Sequence, residues 1–311
     1  MQFSIVEIDC DLFWDKLMDS SANSSIFSSS LYCNTFLNKY KRLGIQDGSQ
    51  RIILSVIIPL ENIHGLPHSE MYASIFFNLF EKQFTRKSSE NSAVYNALTF
   101  LIEYLSKKHK GMRFSLHHEI KDLRAINDFN YSNSNKIQVN LRHTSILDIE
   151  RGWQEICSKY ISKTRLYEAR RLSKKYKFTK INEISKEDVL LLYSYDKKIT
   201  IQSPLVCLAY DVINSLLKDN NASVIKFSQN SQTLAINVFL YFKNTAFYHS
   251  SYISTESSLE LGSSAMMTQI ETAHIRKLKA VDFVGVNSPN RGFFKASFGG
   301  KIVNYYEILF L

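Results

Sequence analysis

The stretch Thr233-Leu234-Ala235-Ile236-Asn237-Val238-Phe239-Leu240-Tyr241-Phe242, with Lys243-Asn244-Thr245 and Ala246-Phe247-Tyr248-His249-Ser250-Ser251-Tyr252-Ile253 after it, decides the fold. Together with Ser223 to Phe227 it reads with period two and predicts three antiparallel strands, the tighter turn falling at Lys243-Asn244-Thr245. Upstream the period is helical. Leu205, Leu208, Val212 and Leu216 predict one helix, and Ser185 with Asp188 three residues on is the capping signal of another. Before them Trp153, Ile156, Tyr160 and Tyr167 fall on one side of a single long helix. Downstream come a Gly/Ser turn at Leu261-Gly262-Ser263-Ser264, a helix from about Ala265 to Lys279 and a buried strand from Ala280 to Val284. Helices, three antiparallel strands, a turn, a helix and a strand make an α/β (α+β) unit.

The sharpest change in character falls near residue 150. Before it, Phe3 to Ile8 and Arg51 to Pro59 read as strands, and Val94, Leu98, Leu101, Ile102 and Leu105 as one face of an amphipathic helix. Met112 to Leu116 and Ile137 to Leu141 read as two further strands. The Ser/Asn clusters from Ser20 to Ser30 and Tyr131 to Asn135 read as loops, because such side chains compete for backbone hydrogen bonds. At 311 residues, 45% of them hydrophobic, the chain is long enough for two ordinary domains.

Charge and cysteine usage narrow the setting. The 38 basic and 29 acidic residues leave a formal charge of +9, which favours an anionic partner such as a nucleotide, coenzyme A or RNA. Cys10, Cys33, Cys157 and Cys207 form no CxxC pair and read as reduced thiols. The N-terminal residues carry no basic patch ahead of an apolar run, and no apolar stretch is long enough to span a bilayer, so a cytoplasmic location is expected. His117 and His118 are adjacent, and His64 and His68 are separated by Gly65 and Pro67. Neither pair has metal-ligand spacing, and no metal is expected.

Three segments carry candidate chemistry. A Gly/Ser turn at Gly262, Ser263 and Ser264 leading into a helix could offer unpartnered N–H groups to a phosphate, and would equally serve as an ordinary helix start. Lys159, Lys163, Arg165, Arg170, Arg171, Lys174 and Lys175 could hold a phosphate-bearing molecule, or form a solvated face. The third segment is Asp282-Phe283-Val284-Gly285, then Phe294-Lys295-Ala296-Ser297-Phe298-Gly299-Gly300 and Tyr305.

That last string resembles the C-terminal signature of the Fem-type peptidyltransferases and related FemAB-like acetyltransferases, an FDF-G strand followed by FK-x-x-FGG and a tyrosine-bearing strand. A second string is similar to the same family: Asp122-Leu123-Arg124, Asn130-Tyr131, Arg142, Thr144, Leu147-Asp148, then Lys163 and Arg165. With Trp14 and Phe27 to Tyr32 the resemblance spans nearly the whole chain, residues 40 to 110 matching only in outline. It implies two tandem GNAT-like domains with mixed, largely antiparallel central sheets. The first would cover residues 1–148, completed by a returning strand from about 290–311, and the second, 149–289, would carry the donor site.

The resemblance also implies an acyltransferase. It would move an acyl group from acyl-CoA, such as acetyl-CoA, onto an amino group of a small acceptor, an amino sugar or a precursor of peptidoglycan type. A Fem-type transferase using aminoacyl-tRNA is the alternative, with tRNA as partner, and a catalytically silent GNAT-like module binding a nucleotide or RNA is a second. Lys295 is implied as the catalytic cation at the transfer site. Ser250, Ser251, Tyr252 and Arg165 are expected to bind substrate, and Gly262, Ser263 and Ser264 the donor's phosphates. The usual GNAT pyrophosphate loop is eroded, and the residues name no general base.

Overall fold

The computed structural model describes residues 2–34, 40–59, 75–77, 86–108, 111–134, 136–173, 177–195, 198–255 and 259–311. The chain divides into two compact units, Met1–Arg142 with Asn304–Leu311, and His143–Val303. In order, the elements of the first half are β1 (Ser4–Glu7), α1 (Asp11–Asp19), α2 (Ser30–Asn34), β2 (Tyr40–Gln46), β3 (Ile52–Pro59), β4 (Ile75–Phe77), α3 (Lys87–Lys108), β5 (Arg113–Ser115), α4 (Arg124–Ser132) and β6 (Ile137–Asp148). Then follow α5 (Trp153–Lys159), α6 (Lys163–Ser173), β7 (Thr179–Ile181), α7 (Lys186–Leu192), α8 (Pro204–Lys218), β8 (Ala222–Gln229), β9 (Gln232–Phe242), β10 (Thr245–Ile253), α9 (Leu259–Ile275), β11 (Ala280–Asp282), α10 (Pro289–Ala296) and β12 (Lys301–Phe310). The division passes through β6 and β12, each of which starts in one unit and ends in the other.

In the first unit β1, β2, β3 and β4 form an antiparallel sheet in sequence order. Its inward residues, among them Leu43, Ile53 and Val56, share a core with Leu98, Leu101, Ile102 and Leu105, the predicted stripe of α3. β5 pairs with β12, whose other neighbour is β6. Apart from Ser20 and Ala22 the Ser20 to Ser30 segment is buried, held by bonds such as Ser24 Oγ to the Met18 carbonyl at 2.8 Å and Ser30 N–H to Asp15 at 3.0 Å. It contains a 3-10 turn, Ile26–Ser28.

In the second unit the strand order is β6-β11-β10-β9-β8-β7. All pairs are antiparallel except β10 with β11, so the α/β unit has a mixed sheet. The core joins Phe239 and Tyr241 of β9 to Met266, Ile270 and Ala273 of α9 and to Phe283 and Phe298. The capping signal is realised: the Asp188 N–H donates to Ser185 Oγ at 3.1 Å at the start of α7.

The helices differ from the sequence reading in several places: Tyr131 and Ser132, expected in a loop, end α4, and α10 was not expected. The single helix expected around Trp153 to Tyr167 is broken between Lys159 and Lys163, and Tyr167 is 64% exposed. The break is imposed from far along the chain, where the Ser162 N–H donates to the Ser297 carbonyl at 3.0 Å and Gly299, at φ +82°, lies against the Tyr160 carbonyl. A side chain at Gly299 would strike that carbonyl, which accounts for the first glycine of the Gly299-Gly300 pair in the signature string. The helix expected from about Ala265 to Lys279, α9, begins earlier, at Leu259, and ends at Ile275. There Lys277 takes a φ of 60°, the Leu278 N–H reaches the Ala273 carbonyl at 3.1 Å, and the Lys277 N–H reaches that of His274 at 2.9 Å. These two bonds close the helix as a Schellman motif. No helix among the described residues is long and apolar enough to cross a membrane.

Candidate active site

β10 and β11 run side by side for only three pairs, Thr245 with Ala280, Ala246 with Val281 and Phe247 with Asp282. Beyond Asp282 the chain leaves the sheet in two left-handed residues, Val284 at φ 47° and Gly285 at φ 77°. A β-branched residue in that region is strained by about 1–3 kcal/mol and persists only where its surroundings fix it. Here they do. Asp282, 1% exposed, accepts from the Val284 N–H at 2.8 Å and from Thr144 Oγ at 2.6 Å, and Thr144 Oγ in turn accepts from the Gly285 N–H at 3.3 Å.

Lys295 closes the turn from the other side. Its Nζ donates to the carbonyls of Val284 at 3.0 Å and Gly285 at 2.9 Å, and stands 4.7 Å from the centre of the Tyr248 ring. α10 comes this close because a side chain at Gly292 would collide with the Val286 carbonyl. Burial pushes the Lys295 ammonium down to about 8, Asp282 acts in the opposite direction, and Arg291 adds to the fall. Of its three donors, the third makes no hydrogen bond among the described residues.

β10 is itself irregular at this point. Its register with β9 shifts between Tyr248 and Ser250, leaving His249 as the extra residue of a bulge. Regular alternation would send Tyr248 and Ser251 to opposite faces. The bulge brings them together, and the Tyr248 hydroxyl bonds Ser251 Oγ. It also sets His249 Nδ1 3.0 Å from Ser250 Oγ, with the imidazole 4% exposed. Burial raises the Tyr248 hydroxyl above the usual phenol range, with Ser251 and Arg291 working against that rise. Ser250, Ser251 and Tyr252 are half-buried on the part of β10 that has outrun β11.

Arg165 and Ser263 belong to a second, adjoining cluster. Arg165 donates to Glu168 at 2.6 Å, to Ser263 Oγ at 3.1 Å and to Ser297 Oγ at 2.9 Å, with its guanidinium 4.9 Å from the Phe294 ring centre. Ser263 donates to Glu168 at 2.6 Å. The bonds of Arg165 and Glu168 to Ser263 tie α6 to α9, that of Arg165 to Ser297 ties it to the end of α10, and Phe294 beside Lys295 links the two clusters. The basic run is also less naked than its sequence suggests, since Arg165 and Arg171 are paired with Glu168 and Glu260. Lys174 and Lys175 lie outside the described residues, as do His64 and His68.

The expected turn at Gly262 to Ser264 is a correction. All three residues are helical, in the first and second turns of α9. From the fifth residue of a helix onward each N–H is bonded within it, so the backbone of Ser263 and Ser264 is not available to a phosphate. Their side chains are buried, and the Gly262 Cα faces Ile253 and Phe294, where a Cβ would stand 3.6 Å from each. Small residues inside a helix imitate a turn in the sequence. His249 was missed altogether, because a bulge leaves no trace in composition or period. Among the described residues no cluster of His, Cys, Asp and Glu could hold a metal ion.

No protein-family model matches the chain, and no curated protein matches its sequence. Solved structures do match. FemX superposes with a TM-score of 0.65 at 10% identity over 100% of this chain and 98% of its own. A tandem GNAT protein from the clavulanic acid biosynthesis pathway matches with a TM-score of 0.55 at 10% identity, covering 99% and 98% of the two chains. The chain has a tandem GNAT fold. An acetyltransferase of the GNAT family from Colwellia psychrerythraea is a further neighbour, with a TM-score of 0.54 at 13% identity over 99% of this chain and 100% of that one. Within this fold, Lys295, the strained turn and the bulged strand all lie in the second unit.

Proposed function

We propose that the protein is an acyltransferase that moves an acyl group from acyl-CoA, such as acetyl-CoA, to an amino group of a small acceptor, an amino sugar or a precursor of peptidoglycan type. One observation carries this reading: β11 stops pairing at Asp282 while β10 continues to Ile253. No described strand takes up that edge, and main-chain groups there suit an extended amide-bearing chain like that of coenzyme A. Its thioester carbonyl would then lie near the turn that Lys295 closes. The acceptor amine attacks the carbonyl carbon, the carbonyl electron pair moves to oxygen, and the third N–H and the charge of Lys295 stabilise that oxyanion. Collapse breaks the C–S bond and forms the amide. The proton lost by the amine passes through Ser250 to His249 and on to the departing thiolate, giving free coenzyme A.

The reading fits a pair of GNAT units, a strained turn held from three sides and a basic chain with an anionic donor. Its test is native mass spectrometry of the protein with acetyl-CoA, followed by release of coenzyme A thiol with amino-sugar acceptors and by the mass of the product. An aminoacyl-tRNA donor is run in parallel, because the Fem signature favours it as the second reading. Binding of neither donor, or binding without transfer to any amine, would leave a silent binding module.

A further inference from the structure

Arg291 occupies an uncommon position. It lies in the first turn of α10, where the helix dipole disfavours a cation, and that turn holds no acidic residue to compensate. Arg42, Arg51, Arg124 and Arg165 each have a carboxylate within 2.7 Å of a guanidinium nitrogen. Arg291 is exposed and makes no hydrogen bond or ion pair among the described residues. Its guanidinium instead lies over the ring of Tyr195, 5.6 Å from the centre, and that ring is itself 66% exposed. A guanidinium held near an aromatic face by a cation–π contact leaves its N–H donors available to a ligand.

The neighbour one turn further along α10 is Lys295, four residues on and so on the same helix face. The carboxylate that acts on Lys295, Asp282, is already engaged with Thr144 and the Val284 N–H. Arg291 lowers the proton affinity of both Lys295 and Tyr248, so its positive field reaches the place where the transfer would occur. Stability does not explain an arginine that is unpaired among the described residues and set against a helix dipole beside a half-buried lysine. A ligand of opposite charge does.

The geometry points to Arg291, in cation–π contact with Tyr195, as a subsite for an oxyanion group of the substrate, a carboxylate or phosphate bound through two oxygens next to Lys295. This rests on the acyl-transfer reading for its purpose, since it makes the substrate anionic as well as acyl-bearing or amine-bearing. The binding itself is measurable without turnover. Inorganic phosphate and acetate are titrated separately into the full chain by calorimetry at low and high salt, with Arg291→Gln, Arg291→Lys, Tyr195→Ala and Tyr195→Phe alongside. The expected result is saturable, salt-sensitive binding of at least one anion, weakened about tenfold or more by Arg291→Gln, as for loss of a charged hydrogen bond. Arg291→Lys and Tyr195→Ala should each weaken it by a smaller factor, and Tyr195→Phe should leave it unchanged because the ring is retained. The anion bound more tightly names the source, phosphate or carboxylate.

No saturable binding of either anion, or an Arg291→Gln affinity within about twofold of the parent, overturns the subsite. Anion binding lost in Arg291→Gln, in a protein that transfers no acyl group, overturns the acyltransferase reading and leaves the subsite standing. Transfer with an unchanged KM for anionic acceptors in Arg291→Gln does the reverse.

Discussion

Thr144 on β6 donates its hydroxyl to Asp282 at the end of β11 across 2.6 Å, in a site from which water is excluded. The same oxygen accepts the Gly285 N–H, so one hydroxyl both satisfies a buried carboxylate and holds the left-handed turn. Thr144→Val keeps the shape and removes the polar atom. It is expected to cost about 1–3 kcal/mol of unfolding free energy, the usual penalty for a buried acceptor left short of a donor. Urea denaturation measures it, and Thr144→Ser should recover most of the loss.

Two glycines give opposite expectations. At Gly292 a methyl group would meet the Val286 backbone carbonyl, which has no flexible end to move aside, so Gly292→Ala should destabilise by about 1–3 kcal/mol. At Gly262 the nearest atoms are 3.6 Å away and the backbone is helical, so Gly262→Ala should be neutral or stabilise by up to about 1 kcal/mol. Thermal midpoints of the two variants decide the matter. A strongly destabilised Gly262→Ala would restore the turn that the sequence suggested.

Lys295→Met retains the stem and removes the cation. With two carbonyls and the nascent oxyanion deprived of it, turnover should fall about 100 to 1,000-fold, the scale set by loss of one preorganised donor. In the parent protein, turnover should decline as pH rises through about 8, where Lys295 loses its charge. Stability should move the other way. Between about 8 and 10.5 the unfolded chain still holds the lysine proton that the folded chain has released, so unfolding free energy rises with pH in that window. The gain, below about 3 kcal/mol, is absent below pH 8 and should vanish in Lys295→Met.

His249→Gln tests the proton path. Its neighbour Ser250 would keep a partner of similar shape that cannot carry a proton, so kcat should drop about 100-fold or more while KM for the donor stays within about twofold. An unchanged kcat would remove His249 and Ser250 from the transfer step.

What could be read from the residues was what depends on neighbours in sequence. The alternation of β9 and β10, the stripe of α3 and the Ser185 cap are local, and each appears where its pattern put it. The break between α5 and α6 depends on Ser297 and Gly299, more than a hundred residues away, and no local signal announces it. The start of α9 was obscured because Gly262, Ser263 and Ser264 are residue types that usually mark a turn, whereas here they lie inside the helix and Ser263 is bonded to Glu168. Lys295 was marked by its flanking motif. Its hold on the Val284 and Gly285 carbonyls, and the company of Arg291 and Tyr195, come from tertiary contact alone.

The division through β12 bears on how the molecule is made. Ile308 and Phe310 belong to the core of the first unit, with Phe310 set edge-on to Phe114 at 5.9 Å, yet the ribosome reaches them only after the whole of the second unit has been synthesised. Until then β5 lacks its neighbouring strand, and the ring of Phe114 waits uncovered in a chain already long enough to collapse. Such a nascent first half is a natural client for chaperones, and the closing of its core is coupled in time to translation of the final strand.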